Sequence, residues 1–426
     1  MLSLAVAMGM GRFAFTPLMP MMLGEGSVAL PAASWLASAN YLGYLVGALL
    51  CTLQPWLWSR FERPPAFTYA SIVRAGLVTT TLLTVAMALP WPGGWPTLRF
   101  SAGVATAVVF VYTSGWCLAR LSRLGAPAMG GVIFAGPGVG IVISGLFGSA
   151  LVALRWTAAV GWLVFGLLAL VLTACIWPVL RGGEDRLVAS AAAGANRAGR
   201  ASAAGSASGA ARVPGRIDSK RAGDGPGAVG ATGEVALLAL GYGLAGFGYI
   251  ITATFLPVIA REALAESIWL DLFWPIFGIG VMAGALLATR LPAGGDRRGR
   301  LAIAYIVQAL GIATSLWSPT LAGFAIGSLM LGVPFTAITF FAMQEARRLR
   351  ESAAASYMGL LTATYGLGQI AGPPLVALLL ARSVTPGAGF TLSLEIAAAG
   401  LLAGALLFLG MIRKWPVSRT GRSGGR

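Results

Sequence analysis

Histidine is absent from this 426-residue sequence, and cysteine is rare. Without histidine the chain lacks the commonest metal ligand and the usual general base, which excludes zinc sites and nucleophile–histidine catalysis of the usual kinds. The three cysteines, Cys51, Cys117 and Cys175, each lie inside or at the edge of an apolar stretch, which argues against a disulfide framework or a metal cluster. We therefore predict a protein with no metal, no cofactor and no enzyme activity.

Charged residues are scarce as well. They make up 10% of the chain, hydrophobic residues make up 57%, and the mean hydropathy is +0.80. Such a chain cannot cover itself with polar surface, so a lipid bilayer must serve as solvent for much of it. The net charge of +16 does not indicate nucleic-acid binding, because the charges fall in short loops and form no basic face with interleaved aromatic residues.

Nucleotide-binding motifs are also lacking. The segment 241–246 matches G-x-G-x-x-G, but it lies within an apolar stretch with no strand before it, so we interpret it as a chance match. No Walker lysine motif occurs, so an ATP-driven pump would need a separate subunit. A membrane sensor or scaffold would be expected to carry a folded soluble module, and the only long polar segment shows almost no aliphatic clustering.

Twelve apolar stretches are long enough to cross a bilayer, which takes roughly 20 residues each. We number them spans 1 to 12, and they lie near 2–23, 34–56, 66–89, 97–119, 128–152, 157–180, 234–260, 269–290, 301–318, 320–344, 353–380 and 390–412. The segment 181–233, rich in Ala, Gly, Ser and Arg, is predicted to be a disordered cytoplasmic linker. It would join a six-helix bundle at 1–180 to a second one at 234–412, with a cytoplasmic tail at 413–426.

The distribution of Lys and Arg predicts the orientation of the spans. Outside the spans, nearly all of these residues fall on one side, and only Arg155, Arg261 and Arg382 fall on the other. Because positive charge accumulates in cytoplasmic loops, both termini are predicted to be cytoplasmic.

An internal repeat supports the count of twelve spans. Shifting the chain by 237 residues superposes Gly9 on Gly246 and Pro20 on Pro257. The pattern G-x-x-x-G-A-L-L at 43–50 then falls on the same pattern at 280–287. The shared glycines and prolines are the residues that allow close helix contacts and bends. Six spans separate the copies, so the two halves are parallel repeats related by an axis along the membrane normal.

A loop motif carries the first family resemblance. The segment 296–300, with Asp296, Arg297 and Arg300, resembles the D-R-x-G-R element of major facilitator transporters. The resemblance implies a charge latch that gates the cytoplasmic side, since a carboxylate can pair with arginines when two bundles close. The equivalent stretch of the first half keeps Arg60 and Arg63 but lacks the Asp and Gly, so a latch there would be weaker. The alternative for both loops is ordinary positive charge on the cytoplasmic side.

Two spans carry further motifs of the same superfamily. In span 4, Arg99 begins a pattern that resembles R-x-x-x-G-x-x-x-A, and the resemblance implies a role in proton coupling or substrate binding. In span 5, Gly136 and Pro137 resemble the Gly-Pro bend of antiporter branches. The simpler alternatives are a snorkelling arginine and a packing kink.

Four longer segments resemble one bacterial branch, the YbfB/YjiJ-type transporters. They are 11–20, 35–44, 246–257 and 368–373, which lie in spans 1, 2, 7 and 11 and so cover both halves. The resemblance implies a major facilitator fold, an all-α polytopic membrane protein of twelve spans in two parallel six-helix repeats. It also implies secondary transport by alternating access, without naming a substrate.

Arg12 is the most informative single residue. It lies near the middle of span 1, where an arginine costs roughly 2.5–3.5 kcal/mol on insertion scales, so we expect it to face the central cavity or a partner. Its repeat mate is Tyr249, and a charge opposite an aromatic hydroxyl would suit an asymmetric ligand. The alternative is a buried ion pair or hydrogen-bond hub.

Three more polar residues complete the predicted binding site. Tyr365 and Gln369 are one turn apart on span 11 and share a face, and Asn40 lies within span 2. Hydrogen bonding between helices is the alternative role for all three. The acidic residues that touch a span lie near its ends, so an anionic solute is favoured over a cationic drug.

We therefore predict a secondary active transporter for a small organic solute, with an anion favoured, in the bacterial inner membrane. The alternative function is a proton-coupled efflux antiporter for hydrophobic or cationic compounds, and a non-transporting sensor ranks below both. The predicted partners are the small-molecule substrate, the lipid bilayer and protons as a candidate coupling ion, with no nucleic acid and a monomeric state.

Overall fold

The structure is a computed structural model that describes residues 1–58, 60, 67–125, 129–181, 226–264, 267, 269–291, 295–349 and 354–416. Within these ranges, 12 helices are long and apolar enough to cross a membrane. This confirms the predicted all-α polytopic fold and the positions of the spans.

In the first half, span 1 is composite: a short α-helix, Leu2–Leu4, leads into a π-helix, Ala5–Phe13, which is followed by an α-helix, Phe15–Gly24. Span 5 is interrupted as well. The helices of spans 2 to 6 are Leu30–Trp58, Tyr69–Ala86, Trp95–Arg123, the pair Gly130–Phe134 and Gly136–Ala153, and Ala158–Arg181.

The helices of the second half are Pro226–Ala263, Phe273–Arg290 preceded by the 3-10 turn Leu270–Leu272, Arg297–Trp317, Leu321–Leu349, Ala354–Arg382 and Pro386–Lys414. Most of the predicted linker, 182–225, lies outside the described residues, and the helix of span 7 begins at Pro226, ahead of the predicted start at 234. The helix of span 12 extends to Lys414, and residues 417–426 of the predicted tail also lie outside the described part.

Capping residues in the sequence explain where some of the helices begin. Thr68 and Ser71 form a capping box at the beginning of span 3, where each side chain accepts a hydrogen bond from the other's backbone amide. At span 12, Thr385 caps the helix directly before Pro386, which needs no backbone partner at that position. Polar side chains therefore satisfy amide groups that would otherwise be unpaired at the membrane surface.

Glycines shared by the two repeats bring pairs of helices into backbone contact. A Cβ atom at Gly43 would clash with the carbonyl oxygen of Phe100, so spans 2 and 4 can pack this closely only around glycine. In the second half, Gly284 of span 8 lies equally close to the carbonyl of Val333 in span 10. The repeated glycine pattern thus predicts real close contacts in both halves.

Substitution of one of these glycines is expected to destabilise the fold. Gly284→Ala forces a methyl group against the Val333 carbonyl, and we expect a loss of about 1–3 kcal/mol, because overpacking of a rigid contact costs about that much. The control is Gly410→Ala in span 12, where nothing lies within 4 Å of the added atom. Thermal unfolding in detergent measures both, and an unchanged melting temperature for Gly284→Ala would contradict the close contact.

The two halves meet along three pairs of helices. Span 2 packs against span 11, span 5 against span 8, and span 1 against span 7. Span 1 is the most enclosed, with 94% of its apolar window buried, compared with 33% in span 6. A charged residue in the middle of span 1 therefore faces protein and not lipid.

Candidate functional site

The centre of the molecule can be located from the internal repeat. The hydroxyl of Thr16 in span 1 donates to the carbonyl oxygen of Ala253 in span 7, 3.2 Å away. These two residues are repeat mates, and equivalent positions of two related halves can touch only at the axis between them. Arg12 lies four residues before Thr16 in the same span, so it sits beside this axis.

The backbone around Arg12 is unusual. It belongs to the π-helix Ala5–Phe13, a wider coil that occurs mostly as short insertions in α-helices, frequently at functional sites. Gly9 and Gly11 lie in this segment, and a Cβ at Gly9 would clash with the backbone of Gly140 in span 5. Close packing against span 5 thus accompanies the change in helix type.

The Arg12 side chain is 3% exposed and reaches across the interface between the halves. Its Nη2 donates to Oε1 of Gln369 in span 11, at 2.7 Å. The centre of its guanidinium lies 4.2 Å from the ring centre of Tyr44, 5.0 Å from that of Tyr41 and 5.4 Å from that of Phe13. The Nε atom is buried and has no hydrogen-bond acceptor among the described residues. The charge is therefore surrounded by aromatic rings, and its Nε–H group is unpaired there.

Gln369 extends the network into the second half. Its Nε2 donates to the hydroxyl oxygen of Tyr249 in span 7. The Tyr249 ring stacks on Tyr365 with centres 5.8 Å apart, and Tyr365 stacks on Tyr242 at 4.6 Å. The structure thus brings four of the six predicted binding residues together in one buried cluster, which we call the central cluster: Arg12, Gln369, Tyr249 and Tyr365.

Arg99, the fifth predicted binding residue, has a different environment. Its Nη2 donates to the carbonyl oxygen of Arg12 at 3.1 Å, and its Nη1 donates to that of Gly11 at 3.4 Å. The guanidinium also lies over the ring of Phe15, 4.9 Å from its centre. Arg99 is 2% exposed and holds the backbone of span 1 where the π-helix ends. Its Nη donors point to backbone and not to the central cluster, and its Nε is buried without an acceptor among the described residues.

Asn40, the sixth, supports Arg99 in turn. Its Nδ2 donates to the carbonyl oxygen of Arg99, 2.9 Å away. This contact lies where span 2 meets span 4, since a Cβ at Gly103 would clash with the Asn40 backbone. Asn40 and Arg99 therefore form a support that connects spans 2, 4 and 1 behind Arg12.

Neither buried arginine of this region has an acidic partner in the part of the chain that the structure describes. Among the residues that the structure describes, no carboxylate lies within ion-pair distance of Arg12 or Arg99. Two buried positive charges without a counter-charge are costly, because desolvation is repaid only by an opposite charge or by many hydrogen bonds. The region is therefore electrostatically suited to an anion.

We call the side on which span 1 begins and span 12 ends the terminal face, and the other side of the molecule the opposite face. Between Arg12 and the opposite face, further hydrogen bonds join the two halves. The hydroxyls of Tyr41 and Thr254 are 2.8 Å apart, and Ser38 donates to the carbonyl of Ile370 at 3.1 Å. Nearer the opposite face, Ser149 donates to the carbonyl of Asp271, also at 3.1 Å. These bonds hold the halves together beyond the central cluster.

A dense charge cluster lies at the terminal face, entirely within the second half. Arg298 is 0% exposed and pairs with Glu234 and Asp296, each at 2.8 Å. It also donates to the carbonyl oxygen of Trp415 at 2.7 Å. Glu345 lies 3.7 Å away. Arg298 thereby joins the ends of spans 7, 9, 10 and 12.

A second arginine completes this cluster. Arg348 pairs with Glu345 at 2.7 Å and with Glu234 at 3.0 Å. Three carboxylates and two guanidiniums alternate in space, so every charge has an opposite neighbour. We call the five residues the terminal-face cluster: Asp296, Arg298, Glu234, Glu345 and Arg348.

The predicted gate residues are distributed differently from the expected latch. Asp296 belongs to the terminal-face cluster, but the arginine at its centre is Arg298, the variable position of the D-R-x-G-R element. Arg297 instead donates to Gln344 at 2.8 Å, and Arg300 lies over the ring of Phe341. In the first half, Arg60 is at the edge of the described segment. Arg63 lies outside the described residues.

The pairing of Asp296 gives a pH dependence. Its partial burial raises the pKa of the carboxyl, but the hydrogen bonds from Arg298 outweigh this, and the pKa lies below its ordinary value. A carboxyl with a lowered pKa stabilises the fold above its unfolded pKa, about 3.9, and this contribution is lost as the pH falls through the folded value. We expect the melting temperature of the wild type to fall more between pH 5 and pH 3 than that of Asp296→Asn. Equal decreases would contradict the pairing.

Comparison with known proteins agrees with this architecture. A family model described as "uncharacterised MFS-type transporter YbfB" matches residues 4–210 and 219–409, nearly the whole chain in two segments. The chain belongs to this family of major facilitator transporters. This confirms the family resemblance stated above, and the family points to a transporter rather than an enzyme. No match is found among curated proteins.

Solved structures show the same fold for this transporter. A D-xylose–proton symporter superposes with a TM-score of 0.67 at 12% sequence identity, covering 96% of this chain and 95% of that one. A mutant of the nucleoside transporter NupG superposes with a TM-score of 0.65 at 14% identity, covering 96% and 100% of the two chains. At these identities the likeness concerns the fold alone.

The bend predicted in span 5 of the transporter coincides with a helix break. The helix Gly130–Phe134 ends and Gly136–Ala153 begins around Ala135, with Pro137 in the first turn of the second piece. Gly136 lies against the backbone of Met1 at the start of span 1. The break thus allows span 5 to follow span 1 closely.

Sequence reasoning missed several residues of these clusters in the transporter. The tyrosines around the centre, Tyr41, Tyr44 and Tyr242, lie on the same spans as predicted site residues, and their helical spacing could have identified them. Glu345 and Arg348 are three residues apart at the end of span 10, a spacing that favours an ion pair on a helix.

A groove of about 710 Å³ lies elsewhere, between spans 3 and 4. Its lining contains no charged side chain: Phe67, Ser71, Ile72, Ala75, Gly76, Thr79, Ser101, Val104, Ala105 and Val108. Because the described lining of the groove carries no charge, whereas the central cluster contains Arg12, the central cluster is the stronger candidate for an anion site.

Proposed function

We propose that this transporter moves a small organic anion across the bacterial inner membrane, with Arg12 as the anion-binding residue. The observation that carries the proposal is the pair of buried guanidiniums, Arg12 and Arg99, that have no carboxylate partner among the described residues. An arginine inside a membrane protein that is unpaired with protein acids is suited to a ligand charge.

The residues around Arg12 would have two different roles, ligand contact and support of span 1. Tyr249, Tyr365 and Gln369 of the second half would form the wall that faces the ligand. Arg99 and Asn40 would position span 1, since the Nη atoms of Arg99 donate to backbone carbonyls of span 1 and Asn40 donates to the backbone of Arg99. This assigns a positioning role to two residues that the sequence predicts as ligand contacts.

Alternating access provides the mechanism that best fits the contacts between the halves. The bonds from Thr16, Ser38, Tyr41 and Ser149 would have to break for the site to open to the opposite face. The terminal-face cluster joins spans 7, 9, 10 and 12, so the second half would move as one body. Motion about the central axis would then expose Arg12 to each side in turn.

Proton coupling would need a titratable group that responds to the bound anion. The similar D-xylose transporter is a proton symporter by name. In the present chain Asp271 is paired with Arg261, and Glu395 is exposed on the outer side of span 12. Neither carboxyl touches the central cluster, so neither would couple a proton directly to the anion on Arg12.

A thermal-shift screen of the purified protein tests the proposal. Ligands that bind the folded state raise the melting temperature, so organic acids should stabilise the protein, whereas cationic drugs should not. Stabilisation by cationic or neutral hydrophobic compounds, unaffected by Arg12→Ala, would reject the anion site. It would favour an efflux antiporter in which Arg12 has a structural role.

A further inference from the structure

We infer that the substrate is a monocarboxylate with a flat, aromatic body, and that the side chain of Gln369 competes with its carboxylate for Arg12. The inference rests on the proposed function, because it takes Arg12 as the anion-binding residue. It adds the number of charges and the shape of the ligand, and it names Gln369 as the side chain that competes with the ligand.

The hydrogen bonds of Arg12 give the position of the carboxylate. A guanidinium binds a carboxylate most strongly with two parallel N–H groups on one edge, and Nε and Nη2 form such an edge. In the structure Nη2 is bonded to the amide oxygen of Gln369, 2.7 Å away, and Nε is buried without an acceptor. An amide has one oxygen and fills half of this edge, whereas a carboxylate has two and would fill it.

The surroundings of Arg12 determine how many anionic groups the ligand can carry. Arg99, the other buried cation nearby, directs its Nη atoms to the carbonyl oxygens of Gly11 and Arg12. In the second half, the groups next to Gln369 are the hydroxyl and rings of Tyr249 and Tyr365, which carry no positive charge. Arg12 is thus the cation of this pair whose Nη2 reaches the second half, while the Nη atoms of Arg99 hold span 1. One anionic group can be bound in this way, and a second would lack an equivalent partner, which is costly.

The aromatic residues near Gln369 indicate the shape of the ligand beyond its carboxylate. Beyond Gln369 the rings of Tyr249, Tyr365 and Tyr242 are stacked, and Phe335 contacts Tyr249 edge-on at 4.8 Å. A carboxylate on Arg12 would place the rest of the ligand against these rings. Flat aromatic bodies gain roughly 0.5–1.5 kcal/mol from such contacts beyond the burial of their area, whereas saturated rings of equal size do not.

The same geometry predicts that the ligand carboxylate and Gln369 compete for Arg12. Gln369 is on span 11 and Arg12 on span 1, so their hydrogen bond connects the two halves. A bound carboxylate would take Nη2 from Gln369 and leave the amide to bond Tyr249 or the ligand. Ligand binding would thereby change a contact that holds the halves together.

Two substitutions at one position separate competition from direct binding. Gln369→Leu removes the competing oxygen, and we expect benzoate to bind about 2- to 10-fold more tightly, the equivalent of one hydrogen bond. Gln369→Glu places a tethered carboxylate on Arg12, and we expect benzoate binding to weaken by roughly 10-fold or more. Isothermal titration of the purified full-length protein measures both, with the melting temperature of each variant as the control for folding.

A matched set of ligands tests charge and shape on the wild type. Benzoate should bind about 2- to 10-fold more tightly than cyclohexanecarboxylate, which has the same size and charge but a puckered ring. Phthalate, with a second carboxylate, and benzamide, which has none, should both bind more weakly than benzoate.

Each unexpected binding result would reject a different part of the inference. If Gln369→Leu weakens benzoate as much as Gln369→Glu does, Gln369 is a direct ligand contact and the competition is rejected. Equal binding of benzoate and cyclohexanecarboxylate would reject the flat body. If only dicarboxylates or other non-aromatic organic anions bind, and do so through Arg12, the proposed function stands and this inference falls. If only inorganic anions bind, both fall. If no anion binds, both fall.

Discussion

Replacement of Arg298 by alanine is expected to lower the free energy of unfolding by roughly 3–5 kcal/mol, since removing one partner of a buried ion cluster leaves the others unpaired. Arg298 is 0% exposed and contacts both Glu234 and Asp296 at 2.8 Å. The loss would be distributed over spans 7, 9, 10 and 12, whose ends this side chain joins. Unfolding in detergent, followed by helical circular dichroism, measures the effect.

The neighbouring Arg297 is the matched control. It lies in the same loop motif but donates to an uncharged partner, Gln344, and its replacement by alanine should cost much less. A second test combines Arg298→Met with Glu234→Gln, which removes two opposite charges together. This pair should cost less than the sum of the single changes, because the residues contact each other. Equal effects at 297 and 298 would show that the motif acts only through its overall positive charge.

Replacement of Arg12 by alanine is expected to reduce transport by about 100-fold or more, without loss of stability. Charge-assisted hydrogen bonds contribute roughly 1.5–3 kcal/mol each, and two on one carboxylate account for a loss of this size. Stability should be retained or increased, because the variant removes a buried charge that no described carboxylate neutralises. Uptake of radiolabelled benzoate into proteoliposomes and the melting temperature together test this contrast.

Arg12→Lys provides the control for charge. Lysine keeps the positive charge but lacks the flat two-donor edge, so transport should fall between wild type and Arg12→Ala. A transport rate that is unchanged in Arg12→Ala would remove Arg12 from the site. A large drop in melting temperature, instead, would show that this arginine is structural, like Arg298.

Much of the fold can be predicted from the sequence, because the bilayer imposes it. Every span is an apolar stretch of the length that a membrane requires, and both ends of each lie within a few residues of the prediction. The glycines at 43 and 284 are predictable for a similar reason, since only glycine permits backbone contact between helices. The π-helix in span 1 is not predictable in this way, because its sequence is compatible with an ordinary helix and packing decides the outcome.

The candidate site is predictable only in part. Mid-membrane depth singles out Arg12, and helical spacing places Tyr365 and Gln369 on one face, which the structure brings to Arg12. Their binding role stays a prediction. Sequence cannot show that Arg99 turns toward the backbone of span 1, because this depends on carbonyl groups made available by the helix irregularity. It likewise cannot show that the third residue of the loop motif, not the second, is buried.

The hydrogen bond between Arg12 and Gln369 bears on the kinetics of the transport cycle. A carrier whose empty site exposes a bare charge has difficulty returning unloaded, and is then confined to exchanging one solute for another. Here the amide oxygen partly satisfies the guanidinium when no solute is bound. The unloaded protein should therefore reorient readily, so that net movement down a gradient needs no counter-substrate, and solute on the far side should accelerate uptake only slightly. In Gln369→Leu that return step loses its stabilising contact, and exchange should come to dominate over net flux.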